Sequence, residues 1–211
     1  LNNKVIIVTG GSGLIGESIL NNIRDCGGIA INADLNIGNT NKKFFFKCDI
    51  TKPKSINLLI DYVVKKYGKI DGLVNNAYPR TNDWGKKFED IELSSWKSNV
   101  EMQLNSCFFI IQKVTEHMKF NKSGAIVNIA SIYGVVGGDF SIYENTNGMT
   151  LPAAYSAIKG GIVNFTRYLA SYLAKHGIRV NCVSPGGIFD GQNSNFISQY
   201  SHKVPLGRLA K

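Results

Sequence analysis

Alternation along the chain predicts an α/β fold: a doubly wound parallel sheet covered by helices on both faces, three layers deep. Short apolar runs of strand length take turns with longer stretches whose apolar residues recur at helical spacing. The strand runs are apolar on both faces, as strands buried beneath two layers of helices must be. At 211 residues the chain has the size of about one large α/β domain. No linker, low-complexity tract or internal repeat divides it, so a single domain over 1–211 is expected.

The first strand is "KVIIVTG", and "GLIGESILNNIRDCG" follows as a helix that ends at Gly27. "IAINAD" is the second strand and "FFFKCDI" a short third. "PKSINLLIDYVVKKYG" carries Pro53 at its start, where a missing N–H costs nothing, and Gly68 at its stop. "IDGLVNNA" reads as a buried strand, and one long helical region is expected from about Glu92 to Met118. "GAIVNIAS" is the next strand, Ala154 to His176 a helix, and "IRVNCVSPG" the last clear strand.

Composition narrows the function classes. Apolar residues make up 44% of the chain, ordinary for a packed core. No window approaches the ~18 unbroken apolar residues of a membrane span. "LNNKVIIVTG" is too short an apolar run for a secretory signal and no small-residue cleavage site follows it. The net charge of +9 invites a nucleic-acid reading. Its distribution argues otherwise: Lys42 and Lys43, Lys65 and Lys66, and Lys86 and Lys87 are separated pairs, with no basic helix or aromatic platform. Solvated surface with a mild preference for anionic ligands is the better reading, and neither nucleic acid nor membrane is expected as a partner. Cys26, Cys48, Cys107 and Cys182 are scattered without a CxxC pair, so they read as reduced thiols of a cytoplasmic protein. His117, His176 and His202 lie far apart, and no metal site is expected.

The first strand meets the first helix through "VTGGSGLIG", where Gly10, Gly13 and Gly16 form G-x-x-G-x-x-G. Glycine permits a tight turn and close backbone approach, and a helix N-terminus offers unpaired N–H groups to a pyrophosphate. A plain glycine-rich turn is the competing reading. Asp34 ends the second strand, eighteen residues after Gly16. A carboxylate there can accept hydrogen bonds from a ribose diol and repels a 2′-phosphate. Ser12, Leu35 and Asn36 beside it are uncharged, which favours NAD over NADP. A solvated strand-end aspartate is the alternative.

Tyr155 and Lys159 stand four apart among small residues in "LPAAYSAIKGGIVNFTRYLA", so a helix stacks them on one face. A free phenol, with a pKa of about 10, is a poor base at neutral pH. A fixed positive charge within ~4–6 Å lowers that pKa and makes the Tyr a usable general acid/base. A decorative surface pair is the bland alternative.

With glycine turn, acid, strand-end Asn pair and Tyr/Lys helix in this order, the chain resembles the short-chain dehydrogenase/reductase family of Rossmann-fold, NAD(P)-dependent enzymes acting on CH–OH groups. The resemblance covers essentially all 211 residues. It rests on "TGGSGLIG", Asp34, "CDI" at 48–50, "NNA" at 75–77, "NIAS" at 128–131, "YSAIK" at 155–159 and "NCVSPGGI" at 181–188. No motif is decisive alone, but seven in sequence order are highly specific.

The resemblance implies a role for each matching position. Tyr155 would be the general acid/base, Lys159 would lower its pKa and hydrogen-bond the nicotinamide ribose, and Ser131 would hold the substrate oxygen. Gly10, Ser12, Gly13, Leu14, Ile15, Asp34 and Leu35 would bind the cofactor at the turn and adenosine end. Asp49 and Ile50 would flank the adenine, Asn76 and Ala77 the adenosine-side ribose, and Pro185, Gly186, Gly187 and Ile188 the nicotinamide. Residues 1–130 would form mainly the cofactor half and 131–211 mainly the catalytic and substrate half. A homotetramer or homodimer packed partly through the Tyr155 helix is implied as well.

Departures from the family pattern carry their own expectations. Leu14 occupies the middle Gly of the usual turn, giving the spacing of the extended branch. The fourth catalytic position falls on Gln103, seven residues past Trp96, where the family has Asn. Tyr78 stands where "NNAG" has Gly, and Asp190 replaces a Thr that usually touches the cofactor. The twenty-four residues from Ser131 to Tyr155 exceed the family's usual spacing. The surplus, "VVGGDFSIYENTNGMTLP", is expected to be a substrate-facing loop suited to a small, hydroxyl-rich substrate. Tyr78, Arg80, Tyr143 and Asp190 are the expected substrate contacts. "NNAYPR" and "SPGGIFD" add a likeness to the subgroup of bacterial surface-sugar and flagellin-modification enzymes, which suggests a sugar or polyol derivative. The alternatives are a catalytically silent dinucleotide sensor and an extended-type sugar-nucleotide epimerase or dehydratase. "VPLGRLAK" resembles the segment before a final helix and strand, so the family's last strand is expected to be missing from this chain, which would be part of a longer polypeptide. "GQNSNFISQYS" suits a mobile lid.

Overall fold

The computed structural model describes residues 1–39 and 41–211. Its strands are β1 (Val5–Thr9), β2 (Ile29–Asp34), β3 (Phe45–Lys47), β4 (Gly72–Asn75), β5 (Gly124–Ile129) and β6 (Ile178–Val183). All pair in parallel, in the order β3-β2-β1-β4-β5-β6. The helices are α1 (Leu14–Asp25), α2 (Pro53–Tyr67), α3 (Leu93–Val100), α4 (Ser106–Phe120), α5 (Ala153–Leu173) and α6 (Ser194–Lys203). The doubly wound α/β sheet expected from the sequence is the fold found.

β1 shows why the strands read as apolar throughout. Successive side chains of a strand point to opposite faces. Ile7 therefore enters the large core with residues of α2, α4 and α5, while Val8 enters a second cluster with Leu20 and Ile23 of α1. Both β1 residues are fully buried, and each such side chain contributes ~1.5–3 kcal/mol. The register sets Ile7 beside Ile31 on one side and Leu73 on the other. From β1 the chain winds outward through β2 and β3, then returns to β4 and winds the other way. A crevice opens at that reversal, beyond the carboxyl ends of β1 and β4, where ligands of such sheets bind.

Three regions differ from the sequence expectation. The helix expected from Glu92 to Met118 is two helices, α3 and α4, joined by a π-helical turn over Glu101–Asn105. A π turn inserts an extra residue, and here Gln103 is turned into the interior at 5% exposure. The stretch read as a mobile lid contains α6, capped by the Asn193 side chain, which accepts from the Asn195 and Phe196 N–H groups. Segment 135–152, expected to face substrate, packs against α6 instead. Ile142 joins Phe196, Tyr200 and Leu209 in a third buried cluster, with Tyr143 and Met149 against it. Among the described residues β6 pairs with β5 alone, and Ile188 makes a lone parallel bridge with Ala210. No helix among them is long and apolar enough to cross a membrane.

Candidate active site

The turn after β1 is shaped by what glycine lacks. Gly10 has φ of +63°, and a Cβ there would come within 2.7 Å of Ala77 Cα; one on Gly16 would come within 2.1 Å of the Gly10 carbonyl oxygen. Gly13 N-caps α1 without a side chain, so the first-turn N–H groups, which have no intrahelical partner, face the crevice beside Leu14 and Ile15. Thr9 fastens the turn to the end of β4. Its hydroxyl oxygen accepts from the Asn76 and Ala77 N–H groups at 2.9 and 3.1 Å. The Asn76 amide donates to the Thr9 and Gly10 carbonyls at 3.1 and 2.9 Å. Asn76 is thus a latch on the turn as well as a wall of the crevice.

Asp34 closes the same end. Its carboxylate accepts from the Ser12 N–H at 3.0 Å and the Asn36 N–H at 3.2 Å. Across the ladder Asp34 stands in register with Lys47, but Lys47 does not line the crevice. Farther along, Asp49 is fixed by Thr51, whose N–H and hydroxyl donate to it at 3.0 and 2.7 Å.

At the other end α5 carries Tyr155 and Lys159 into the floor. The Lys159 ammonium is buried and donates to the Ile129 carbonyl at 2.7 Å. It lies 5.4 and 5.5 Å from the ring centroids of Tyr78 and Tyr155. The Tyr155 ring meets Tyr78 and Trp84 edge-on at 5.6 and 6.2 Å. Ser131 follows β5 and hydrogen-bonds Tyr155, while its own oxygen accepts from the Tyr133 N–H at 3.2 Å.

Electrostatics here depart from the expected pattern. Burial pulls the Lys159 ammonium down to about 8. Burial also pushes the Tyr155 phenol up; the Ser131 hydrogen bond opposes the rise and Tyr200 adds to it. The expected lowering of the Tyr155 phenol by Lys159 is not found. Desolvation is the largest influence on the phenol, and the ammonium is engaged by the Ile129 carbonyl.

These groups line one crevice of about 660 Å³, within the range of ~300–1,000 Å³ that holds small molecules and cofactors. Of the expected cofactor-binding residues, all but Ser12 line it, and Ser131, Tyr78, Arg80 and Asp190 line it too. Ser12 is instead engaged within the protein: its hydroxyl donates to the Asn36 carbonyl and accepts from the Asn32 amide. Tyr143 is not in the lining; it stacks on Phe196 at 5.5 Å. Gln103 faces a second, small cavity of about 10 Å³ behind Lys159, shared with Asn75, Cys107 and Asn128. Its buried amide has no hydrogen-bond partner among the described residues. Sequence reasoning missed Tyr133, Gln192, Phe196 and Tyr200, which also line the crevice. The i,i+4 spacing of Phe196 and Tyr200 behind an Asn cap was the available signal.

A Cβ-free cradle, free helix-start N–H groups and a carboxylate at the end of β2 fit a dinucleotide. A phenol hydrogen-bonded to a serine above a buried ammonium fits proton exchange with a carbonyl or hydroxyl. Together they define an oxidoreductase of the nucleotide-dependent α/β class. Residues 4–199 match the family model described as short chain dehydrogenase, and the chain belongs to that family, as an NAD(P)-dependent enzyme acting on CH–OH groups. It is 36% identical over 213 residues to post-translational flagellin modification protein A of Campylobacter coli, covering 95% of this chain and 83% of that one. A short chain dehydrogenase from Leptospira borgpetersenii, solved with bound NAD+, superposes with a TM-score of 0.90 at 34% identity, covering 100% and 82% of the two chains. An NAD+-bound xylitol dehydrogenase gives 0.84 at 26% identity, covering 99% and 87%.

Proposed function

We propose that the protein is an NAD(H)-dependent dehydrogenase or reductase of a small, hydroxyl-rich substrate, a sugar or polyol derivative, with Tyr155 as its proton donor and acceptor. The observation that carries this reading is the convergence of Ser131, Tyr155 and Lys159 at one end of the same crevice that holds Asp34 at the other. A nicotinamide dinucleotide, when bound, supplies the hydride chemistry. Gly10, Gly13, Leu14 and Ile15 would hold it at the turn, Asp34, Leu35, Asp49 and Ile50 at its adenosine end, and Pro185 to Ile188 at the other.

The protein's own groups handle the proton. Tyr155 Oη gives a proton to a carbonyl oxygen in reduction and takes one from a hydroxyl in oxidation, and the Ser131 hydroxyl steadies that oxygen. Lys159, 5.5 Å from the Tyr155 ring, opposes the negative charge left on the phenol. Gln103 offers an amide in the position where the family carries Asn, from which a water behind Lys159 would be held.

Support for a polar substrate comes from Tyr78, Arg80, Tyr133, Asp190 and Gln192 around the crevice. The flagellin-modification relative and the xylitol dehydrogenase neighbour lend it further weight. Four free cysteines suit a cytoplasmic setting. The exposed Phe108 of α4 and Tyr168 and Tyr172 of α5 suit a homo-oligomer packed through those helices. Titration of NADH and NADPH tests the cofactor reading. NADH should bind at least about tenfold more tightly, ~1.4 kcal/mol, because Asp34 faces the 2′-phosphate position without a cation in the lining beside it. Equal affinity, or a preference for NADPH, contradicts it.

A further inference from the structure

Tyr200 of α6 is buried, yet its hydroxyl accepts the Gly187 N–H at 2.6 Å. Its ring lies flush on the loop that follows β6. A Cβ on Gly187 would come within 2.9 Å of Tyr200 Cζ, and one on Gly186 within 2.8 Å of its hydroxyl oxygen. The same loop is gripped from the other side. The Gly187 carbonyl accepts from the Ala210 N–H and the Phe189 N–H donates to the Ala210 carbonyl, both at 2.9 Å. The Gln192 amide donates to the Ile188 carbonyl at 2.7 Å.

Tyr200 is itself held by a segment that does not line the crevice. None of residues 135–152 lines it, but Ile142 packs with Phe196, Tyr200 and Leu209 in a buried cluster. Three polar ties join the segment to α6. Gln199 donates to the Glu144 carbonyl and Asn195 to the Asn145 carbonyl, both at 2.8 Å, and Lys203 pairs with Asp139 at 3.0 Å. The surplus segment is therefore attached to the one helix whose tyrosine grips the loop.

We propose that Tyr200 is a positioning residue for the nicotinamide end of the dinucleotide, and that segment 135–152 is the brace that holds it there. The inference rests on the dinucleotide reading above. The brace presses α6 inward through Ile142. Tyr200 then fixes the Gly186–Gly187 backbone by one hydrogen bond and by ring contact, and that backbone lines the same crevice as Tyr155. The segment thus sets cofactor geometry from outside the site.

The test compares NADH with ADP-ribose, which lacks only the nicotinamide. Loss of one hydrogen bond is worth about 1 kcal/mol, or about fivefold in affinity. Tyr200→Phe should bind NADH about five- to tenfold more weakly than the wild type while binding ADP-ribose within about twofold of it. Ile142→Ala, which leaves Tyr200 intact but removes its support, should show the same selective loss. Equal weakening of both ligands, or no weakening of either, overturns the proposal. Wild-type protein that binds neither ligand overturns the dinucleotide reading itself, a separate and recognisable failure.

Discussion

The two ends of the crevice are built by opposite means. At the glycine-turn end the wall is backbone against backbone: Gly10 and Gly16 leave out Cβ atoms that would clash at 2.7 and 2.1 Å, and the Thr9 hydroxyl ties the turn to β4. At the α6 end the wall is made by side chains from distant segments, with Ile142, Phe196, Tyr200 and Leu209 gathered behind the loop after β6. Gly10 and Gly16 in the first wall leave no room for a side chain. On the proposal above, the second is re-aimed by changing a segment none of whose residues lines the crevice. A site built this way keeps one cofactor pocket constant while its other end varies.

Lys159 lies on the floor between the two walls and gives the largest expected effect. Its ammonium is pulled down to about 8 in the fold, against about 10.4 for a free lysine. Below pH 8 both folded and unfolded chains carry the proton, and the buried charge destabilises the fold in full. Between pH 8 and 10 the folded protein releases the proton while the unfolded chain keeps it, so stability rises. Relative to Lys159→Met, the wild type should gain up to about 3 kcal/mol across that window. Thermal unfolding of both proteins against pH reads this directly, and a constant difference contradicts it.

Gly10→Ala attacks the rigid wall. A left-handed φ costs an ordinary residue ~1–2 kcal/mol, and the added methyl meets Ala77 backbone at 2.7 Å. A loss of about 2 kcal/mol in unfolding free energy is expected, with weaker NADH binding. Gly13→Ala sharpens the contrast, since the nearest heavy atom to its Cβ is 3.6 Å away. It should fold within ~0.5 kcal/mol of the wild type and bind the dinucleotide less well, which separates fold from cradle. Destabilisation of the two variants to the same degree would break the comparison.

Arg80 gives the smallest effect. Its guanidinium lies 5.7 Å above the Tyr78 ring at the mouth of the crevice. Arg80→Gln should raise KM for sugar acids several-fold, about 1 kcal/mol, relative to neutral sugars, with NADH affinity held. Equal change for acidic and neutral substrates would remove Arg80 from substrate selection.

The same contrast explains what could be read from the sequence. The sheet and the turn were legible because they follow from local patterns: apolar runs, Pro53 and Gly68 at helix ends, glycines between strand and helix. Asp34, Ser131, Tyr155 and Lys159 came from motif order, and the fold brings them into one crevice. The break in the long helix was not legible. The extra residue of the π turn shifts the apolar phase within a stretch where polar Asn99, Gln103 and Ser106 are buried as well, so no clean apolar pattern marks it. The helix within the stretch read as a lid was not legible, because Phe196 and Tyr200 stand among polar residues and find their apolar partner, Ile142, more than fifty residues earlier in the chain. Tyr143 stands outside the crevice lining for the same reason: its stacking on Phe196 draws it into that cluster. The phenol shift went the other way because burial depth, which no spacing encodes, dominates it.

The most direct test of the account is turnover by wild type and Tyr155→Phe side by side, on a panel of sugars, polyols and sugar acids with NAD. The wild type should form NADH with at least one member. Removing the hydroxyl that exchanges the proton should slow that reaction at least about a hundredfold, while NADH binding stays near the wild-type level. A Phe variant that keeps a substantial fraction of the turnover would show that Tyr155 is not the acid/base and would contradict the account.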